Sequence, residues 1–337
     1  MITDARPLAP EFVPSDVVHR DAEVNTLSAN LRPIIRGEQP NPSLLVGPSG
    51  TGKTCIARYT VDKLREEALD VETPYVNCWE DYSPYRTLYR ILDELTRAVD
   101  IHRTSTPQDE LVERLREYDE APVVVILDEV DQLEDKDLLY DLFRVTGLSM
   151  VLIANREEAL YGELEDRLQS RLQTASSIRF DPYPTQELVN ILTDRARWSL
   201  REDAYEESQL RRIAESAAGD ARVAIMTLRE AARYCRREGL TQLTSTAVDH
   251  ALPEAKAEIR QKNVERLTED QQALYEIVQE AGEIRPAALY EAYQNRVDDP
   301  KTDRTVRNYL EKMERYNLIC ARGENRGRTY VDAQTEH

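Results

Sequence analysis

The stretch GPSGTGKT at residues 47–54 constrains the fold more than any other part of this 337-residue sequence. It matches the pattern G-x-x-x-x-G-K-[ST] and lies between the apolar run SLLV and the helical stretch CIARYTVDKL, as a phosphate-binding loop requires. Its glycines let the backbone curl, so that N–H groups and the dipole of the next helix face phosphate oxygens. We expect Lys53 to reach the β- and γ-phosphates and Thr54 to hold Mg²⁺. The sequence therefore predicts a P-loop domain that binds ATP/ADP with Mg²⁺.

Short apolar runs alternate with longer amphipathic stretches in the first half of the chain, which is typical of a mostly parallel sheet covered by helices. The run VVVIL at 123–127 has the continuous apolar character of a strand buried on both faces. Residues 184–252 show only helical patterns, and the charged segment 253–266 is predicted to be a helical linker. The remaining residues predict two helices, a third helix near 302–316 and a hairpin. The predicted strands are residues 43–46, 74–78, 123–127, 150–154 and 177–180.

Three polar residues at predicted strand ends are candidates for the chemistry. Asp128 and Glu129 end the run at 123–127, and Asn155 ends the next apolar run. In P-loop enzymes an acid at this strand end holds Mg²⁺, and a neighbouring acid can act as general base toward the attacking water. We therefore assign the metal to Asp128 together with Thr54, and the general-base role to Glu129. Asn155 either orients the water and contacts the γ-phosphate, or only caps the following turn.

Three arginines are candidates for contacts with the γ-phosphate. Arg167 and Arg171 lie four residues apart on one face of a predicted helix, where either could serve as an arginine finger toward a neighbouring subunit's nucleotide. Three acids accompany them, so the residues alone favour a solvated basic pair. Arg222 follows Gly219 and Asp220 at a predicted helix start. It either reaches back to the γ-phosphate from a lid or lies on the surface of a capped helix.

The overall charge argues against nucleic acid as a partner of the whole chain. Asp and Glu number 63 against 44 Lys and Arg, the formal charge is −19, and only seven of the bases are lysines. Such a surface is typical of a protein that stays hydrated in concentrated salt, although an ordinary acidic protein has the same sign. The four cysteines form no CxxC pair, and no apolar run approaches the ~20 residues of a membrane span. We therefore expect a protein of the reducing cytoplasm with no membrane partner.

Residues 301–330 are a local exception to this acidity. They contain eight basic and four acidic residues, which sum to +4. In the predicted helix near 302–316, apolar residues form one stripe, and two arginines and an asparagine lie on the other face. A recognition helix has this pattern, with one face on a core and the other in the major groove, and a basic hairpin after it can serve as a wing. A solvated helix and loop is the alternative. The candidate DNA contacts are Arg304, Arg307 and Asn308 on the helix, and Arg326 and Arg328 on the wing.

The order of these motifs resembles that of an AAA+ ATPase and, in detail, that of the archaeal origin-recognition and cell-division-control type replication initiators. The stretches FVPSDVVHRDAEVNTLSANL at 12–31, PYVNCWEDYSPYRTLYRIL at 74–92 and FDPYPTQELVNILTDRA at 180–196 are similar to the same family. The resemblance implies that the first packs around the adenine base, that the second includes an initiator-specific helical region and that the third enters the lid. It implies the sensor 1 role for Asn155 and the sensor 2 role for Arg222. The nucleotide contacts that it implies are Ser49, Gly50, Thr51, Gly52, Lys53, Thr54, Cys55, Tyr183 and Arg195.

We therefore predict an α/β plus α protein with three domains. These are an AAA+ nucleotide-binding core at 1–182 with a parallel five-stranded sheet, a helical lid at 183–255, and a linker helix with a C-terminal winged-helix DNA-binding domain at 256–337. The resemblance implies an ATP-dependent replication initiator that binds double-stranded origin DNA, hydrolyses ATP slowly as a switch, and has the replicative helicase and other initiator subunits as partners. Two alternatives stay open, a winged-helix P-loop ATPase switch in transcription or signalling and a clamp-loader-like AAA+ subunit. The clamp-loader alternative offers no reason for a basic C-terminal hairpin.

Overall fold

In the computed structural model, the apolar runs of the first half of the chain form one parallel sheet. The structure describes residues 1–68, 70–96, 98, 101, 106–161, 166–323 and 327–333, without the side chains of residues 158, 159, 166 and 167. All five predicted strands are present, and their bounds differ from the prediction by two residues or fewer. The strands are β1 (Ser43–Val46), β2 (Tyr75–Asn77), β3 (Val123–Asp128), β4 (Leu148–Ala154) and β5 (Ser176–Arg179).

The strand order of this sheet is β2-β3-β4-β1-β5, and every neighbouring pair is parallel. The strand β4 therefore lies between β1 and β3. Val46 at the end of β1 is paired with Ala154 at the end of β4, and Leu127 of β3 is paired with Leu152. Because parallel strands end at the same edge, the loops that follow these three strands are neighbours in space.

Helices cover this sheet and continue after it as an all-helical part, from residue 183 to residue 252. The chain forms two compact units, Met1–Leu252 and Pro253–His337, and the sheet belongs to the first. Within the described residues, no helix is both long enough and apolar enough to cross a membrane. The helices are α1 (Asp21–Leu31), α2 (Lys53–Glu67), α3 (Pro84–Glu94), α4 (Gln108–Arg116), α5 (Asp137–Phe143), α6 (Glu157–Tyr161), α7 (Asp166–Leu172), α8 (Thr185–Ser199), α9 (Glu207–Ser216), α10 (Ala221–Arg237) and α11 (Ser245–Glu265).

The strand β3 has a neighbouring strand on each side, and its two faces show why its sequence is apolar without alternation. Val123, Val125 and Leu127 pack into the core on one face of the sheet, with α3, α4 and α5. Val124 and Ile126 pack into a second core on the opposite face, with α1 and α2. Both faces of the strand are therefore buried, as in other parallel sheets that carry helices on both sides.

The helical part of the first unit has a core of its own. Leu188 and Leu192 of α8 are fully buried one turn apart, and they pack with Leu210 of α9 and Leu228 of α10. The helix α9 begins with a capping box in which the side chains of Glu206 and Gln209 each accept a backbone N–H. The N-terminal Leu8 is also fully buried in this core.

Within its described residues, the second unit contains the second half of α11, three complete helices and a small antiparallel sheet of order β6-β8-β7. The predicted helix near 302–316 and the hairpin are both present, and the predicted helical linker forms the second half of α11. The strand β6 was not predicted, because a two-residue strand leaves no periodicity to detect. The elements are α12 (Glu269–Ala281), β6 (Glu283–Ile284), α13 (Pro286–Arg296), α14 (Asp303–Arg315), β7 (Ile319–Arg322) and β8 (Thr329–Asp332). The predicted boundaries of the three domains stay a prediction.

Candidate functional site

The glycine-rich loop lies between the end of β1 and the start of α2. Gly50 and Gly52 have φ angles of 76° and 93°, in the left-handed region that residues with a Cβ rarely adopt. A Cβ atom on Gly50 would lie 2.0 Å from Asp220 Oδ1, and one on Gly52 would lie 2.5 Å from the Tyr183 hydroxyl oxygen. The loop is therefore in direct contact with the helical part of the unit, and this contact as well as backbone conformation requires glycine.

Lys53 is the first residue of α2, and its side chain lies over the loop. Nζ donates to the carbonyl oxygens of Gly47 (2.6 Å) and Pro48 (2.8 Å) and to the amide oxygen of Asn155 (3.2 Å). The residue is only 7% exposed. Burial lowers the pKa of the ammonium group to about 8, and the negative charge of Asp128 opposes this shift. A bound anion would favour the charged form further.

Asp128 is the last residue of β3, and its carboxylate accepts three hydrogen bonds. The hydroxyls of Thr54 (2.7 Å) and Tyr75 (2.9 Å) donate to Oδ2, and the backbone N–H of Glu129 donates to Oδ1 (2.9 Å). Thr54 and Asp128, the two predicted metal ligands, are thus in direct contact. Their hydroxyl and carboxylate oxygens are the donors that Mg²⁺ prefers. Tyr75 was not predicted, because no motif marks it; the pairing of β2 with β3 brings it here.

Glu129 has an unusual backbone conformation, with φ 55° and ψ 42°. A left-handed conformation of a residue other than glycine costs on the order of 1–3 kcal/mol, and such strain is found mainly at functional sites. The residue lines the same cleft as Lys53 and Thr54. The strained turn thus places a carboxylate at the strand end, beside the predicted metal ligands.

Asn155 follows β4 directly, and its side-chain oxygen accepts a hydrogen bond from Lys53. The side chain is therefore directed at the glycine-rich loop. The groups that follow β1, β3 and β4 meet in one cleft because β4 lies between the other two strands. Adjacent parallel strands thus bring together Lys53, Asp128, Glu129 and Asn155, which are up to 102 positions apart in the sequence.

The start of α10 is the contribution of the helical part to this cleft. The backbone N–H of Ala221 donates to the carbonyl oxygen of Gly50 (2.9 Å), and the Asp220 side chain caps the helix by accepting from the N–H of Val223 (2.9 Å). Arg222 lines the cleft. Its positive charge contributes, after burial, to the lowered pKa of Lys53. The predicted arginine is therefore held beside the phosphate-binding loop by a capped helix.

The cleft has a volume of about 1040 Å³, including space open to solvent, and its lining outside the loop and the strand ends is mainly apolar but includes Asp16, Asp194 and Arg195. The other end is lined by apolar groups from residues 10–18 and from α8 and α10. Of the nine nucleotide contacts implied by the resemblance, eight line the cleft. The ninth, Thr51, is buried within the loop and donates to the carbonyl oxygen of Pro48 (2.9 Å). The apolar lining consists of Pro10, Phe12, Pro14, Val17, Val18, Ile191, Trp198 and Ile225.

The two arginines predicted as alternative fingers lie in α7. Arg171 is exposed, and its guanidinium lies over the ring of Tyr140 at 5.3 Å. Arg171 is not among the residues that line the cleft of its own chain. The side chain of Arg167 lies outside the described part of the structure. A role for either arginine in another subunit's site stays a prediction.

The candidate DNA contacts on α14 are on its exposed face. Thr302 caps this helix, Val306, Leu310 and Met313 are buried, and the helix contacts α12 and β7 of the second unit. Arg304, Arg307 and Asn308 are exposed. The structure gives Arg304 and Arg307 no hydrogen bond or ion pair with any residue that it describes. The amphipathic pattern of the sequence is therefore realised in the structure.

In the hairpin that was predicted to be a wing, one of the two candidate arginines already has partners within the second unit. Arg328 donates to Glu314 on α14 (3.0 Å), and its guanidinium lies over the ring of Tyr330 at 5.2 Å. Arg326 lies outside the described residues. Burial raises the pKa of the Glu314 carboxyl group, and the charge of Arg328 opposes that shift. Arg328 therefore already has an acidic partner within the second unit.

Comparison with known proteins defines the class to which the fold and the cleft belong. A family model described as an AAA domain matches residues 36–161, and one described as a Cdc6 AAA+ ATPase-type lid domain matches residues 189–252. The Aeropyrum pernix ORC1 protein, solved in complex with DNA, has a TM-score of 0.76 at 26% sequence identity, over 98% of this chain and 92% of that one. The first unit is thus an AAA+ core with a Cdc6-type lid, and we call the helical part the lid from here on.

Two relatives identify the family. ORC1-type DNA replication protein 1 of Halobacterium salinarum is 54% identical over 91% of this chain and 100% of its own length. ORC1-type DNA replication protein 9 of the same organism is 48% identical over 98% of this chain and 93% of its own. The chain belongs to the family of ORC1-type DNA replication proteins. The resemblance to archaeal replication initiators is confirmed, and the halophilic source of both relatives agrees with the salt-adapted composition.

Proposed function

We propose that the chain is an ATP-dependent replication initiator that recognises origin DNA. The observation that carries this proposal is the convergence of groups from three strand ends and from the lid in one cleft, in a chain whose relatives are DNA replication proteins. A nucleotide in this cleft would touch the core and the lid together. Its phosphate state would therefore set how the lid is held against the core.

The polar end of the cleft would bind the phosphates. Lys53 would exchange its carbonyl acceptors for the β- and γ-phosphate oxygens, which attract an ammonium group more strongly. Arg222 would sense the γ-phosphate from the lid. Thr54 and Asp128 would hold Mg²⁺, whose charge offsets that of the phosphates. Glu129 would accept a proton from the attacking water that Asn155 orients, so that slow hydrolysis ends the ATP state.

The second unit would read DNA as a winged helix. The Aeropyrum pernix ORC1 protein was solved in complex with DNA, and the fold that it shares with this chain supports DNA as the ligand here. The exposed face of α14 would enter the major groove with Arg304, Arg307 and Asn308. The hairpin arginines Arg326 and Arg328 would contact phosphates or the minor groove. Arg328 would first have to leave Glu314, so we expect a smaller contribution from it.

Two kinds of protein partner belong to the same proposal. A replication initiator delivers the replicative helicase to the origin, and we propose the helicase as a partner on the strength of the family. Other initiator subunits would bind next to this one on DNA. Either the exposed Arg171 of α7 or Arg167 of the same helix would then face a neighbouring subunit's nucleotide as an arginine finger.

The proposal is tested by measuring DNA binding of the full chain in each nucleotide state. Duplexes of a mapped origin and of a shuffled sequence would be titrated with protein that holds ATP or ADP, at several salt concentrations. We expect tighter binding to the origin duplex and a difference between the two nucleotide states. Equal affinity for both duplexes in both states would contradict the proposal.

A further inference from the structure

The first twenty residues form a strap that connects the lid to the core across the apolar end of the cleft. We call this end the base end, because the base of a bound nucleotide would lie there when its phosphates lie at the loop. This N-terminal strap, residues 1–20, begins on the lid. Ile2 forms an antiparallel bridge with Leu200, and the N–H of Thr3 donates to the carbonyl oxygen of Ser199 (2.8 Å). A few residues later, Leu8 is fully buried in the lid core. The start of the strap is therefore part of the lid.

The middle of the strap forms a wall of the cleft and is held by Arg195 of α8. The Arg195 guanidinium donates to the carbonyl oxygens of Pro7 (2.9 Å) and Phe12 (3.2 Å), and it lies over the Phe12 ring at 4.8 Å. The Phe12 ring is 6.3 Å from the ring of Trp198. Arg195 is only 7% exposed. The guanidinium is thus engaged with the strap itself, whereas the family resemblance implies a direct nucleotide contact.

The end of the strap is attached to the junction between core and lid. The ring of His19 shares a hydrogen bond with the Asn190 side chain of α8 (2.8 Å). Arg20 donates to the carbonyl oxygen of Asp181 (2.6 Å), and its guanidinium lies 4.1 Å from the centroid of the Tyr183 ring. The helix α1 follows at once and packs on the sheet core. The strap therefore runs from the lid, along the cleft, to the core.

We propose that this strap couples movement of the lid to the base end of the cleft. Arg195 is the positioning residue that holds the strap against α8. The inference rests on the proposed binding of a nucleotide in this cleft. Because the strap forms a wall of the apolar end, its separation from α8 would open that end and speed the release of a bound nucleotide. The hydrogen bonds of the strap described above are to the lid and to the junction between core and lid, so we expect it to retain ADP and ATP equally. Arg222, by contrast, distinguishes the two by the γ-phosphate.

The first test weakens the strap and measures release of the fluorescent N-methylanthraniloyl derivatives of ADP and ATP from the full chain. We expect Arg195→Ala to release both nucleotides at least tenfold faster, and Arg195→Lys, which keeps a donor, to release them at an intermediate rate. Arg197→Ala is the matched control, because Arg197 is an exposed arginine of the same helix. Release from Arg195→Ala at the wild-type rate would overturn the proposal. Melting curves establish that each variant is folded.

The second test fixes the strap to the lid at a point that does not line the cleft. Residues paired across an antiparallel bridge are close enough for a disulfide, so Ile2→Cys with Leu200→Cys should tether the strap when oxidised. We expect the oxidised protein to release both nucleotides at least fivefold more slowly, and a reductant to restore the wild-type rate. Ile2→Cys alone is the control for the native thiols.

The two tests together separate the strap from its alternatives. If Arg195 acted only by touching the nucleotide, Arg195→Ala would speed release but the tether would leave the rate unchanged, and the proposal would be wrong. If the wild-type chain bound neither nucleotide derivative, the proposed function itself would fail. Opposite effects of Arg195→Ala and of the tether, equal for the two nucleotides, are the result that supports the strap.

Discussion

The cleft between core and lid and the proposed DNA-binding face of α14 hold their charged side chains in opposite ways. In the cleft, Lys53 has three acceptors and Asp128 has three donors. On α14, Arg304 and Arg307 are exposed and have no hydrogen bond or ion pair with the residues that the structure describes. The cleft is therefore arranged before its ligand arrives, whereas the face of α14 would be ordered by its ligand.

This difference has a consequence for salt. Charges that are buried together are screened little, so the cleft should keep its affinity in concentrated salt. Exposed arginines bind DNA largely by releasing counterions, and this contribution falls as salt rises. For a chain of formal charge −19 that is 54% and 48% identical to two proteins of a halophile, hydrogen bonds and DNA shape would have to supply more of the DNA affinity.

The largest effect that we expect concerns hydrolysis. Glu129→Gln keeps the size of the side chain but cannot accept the proton of the attacking water, so the hydrolysis rate should fall about 10²- to 10⁴-fold. Nucleotide affinity should stay close to that of the wild type. Glu134→Gln is the control, because Glu134 is an exposed acid near the same strand end. Hydrolysis by Glu129→Gln at the wild-type rate would show that Glu129 is not the general base.

The second effect tests the arrangement of the cleft. Lys53→Ala removes the ammonium group that the β- and γ-phosphates would bind, and losing one partner of a buried charge pair costs about 2–5 kcal/mol. Isothermal titration with ATP should therefore give an affinity at least thirtyfold weaker, with the fold retained. Lys63→Ala changes an exposed lysine of the same helix and should bind normally. Unchanged ATP affinity in folded Lys53→Ala would refute the phosphate role of this residue.

The third effect tests the exposed face. Arg304→Ala should weaken binding to a cognate origin duplex by about 1–3 kcal/mol if the arginine reads a base, and should weaken binding to a shuffled duplex much less. Lys256→Ala, in the second unit but away from α14 in the sequence, is the control. Equal losses on the two duplexes would mean that Arg304 contacts phosphate rather than a base.

The fourth effect concerns pH. The affinity of the cleft for ATP should depend on pH, whereas DNA binding by the exposed face of α14 should not. Burial lowers the pKa of Lys53 from 10.5 to about 8, and bound phosphates would favour the ammonium form, so ATP binding takes up a proton above pH 8. Affinity should be nearly constant below that pH and fall about tenfold per unit above it. The same pKa shift changes stability in the opposite direction, since the contribution of Lys53 to stability increases with pH while the ATP affinity falls. Between pH 8 and 10.5 the unfolded lysine binds more protons, so its contribution to the free energy of unfolding rises with pH.

Calorimetric titrations with ATP between about pH 7 and pH 9.5 check this prediction. The proton uptake can be measured directly from the dependence of the binding enthalpy on the buffer. Lys53→Arg is the control, because an arginine stays charged over the whole range. An affinity that is independent of pH in the wild type would show that Lys53 is not titrating in the cleft.

The smallest effect concerns the hairpin. Arg328→Ala should weaken all duplexes about equally and lower the slope of log affinity against log salt by one unit or less. The reason for the small change is the existing partner, since Arg328 would exchange Glu314 for a phosphate. Fluorescence anisotropy at several salt concentrations measures the slope. A loss confined to the origin duplex would instead assign Arg328 to sequence recognition.

The sequence was sufficient to predict the sheet and the polar end of the cleft, because both depend on local patterns. Continuous apolar runs mark buried parallel strands, and a motif residue at the end of such a run reaches the same edge as the others. Lys53, Asp128 and Asn155 therefore line one cleft. The apolar face of α14 was predictable for a similar reason, since helical spacing places Val306, Leu310 and Met313 on one side.

Contacts that depend on how separate segments pack could not be predicted in this way. Tyr75 reaches Asp128 only because β2 pairs with β3 in one register, and nothing in the three-residue strand indicates it. The bond from Arg328 to Glu314 depends on how the hairpin folds against α14. The hydrogen bond from Arg195 to the carbonyl oxygen of Pro7 joins residues that are 188 positions apart. In each case the sequence supplies the group, and only tertiary packing selects its partner.

The central claim is that this chain acts at replication origins, and the most direct test is to map it on the chromosome. Occupancy of the wild-type chain would be measured by chromatin immunoprecipitation in its native host, and replication start sites would be located in the same cells by marker frequency. We expect the occupied sites to coincide with replication start sites, and we expect Arg304→Ala to lose occupancy of those sites. Occupancy at promoters with no replication start nearby would contradict the account and favour a transcriptional switch.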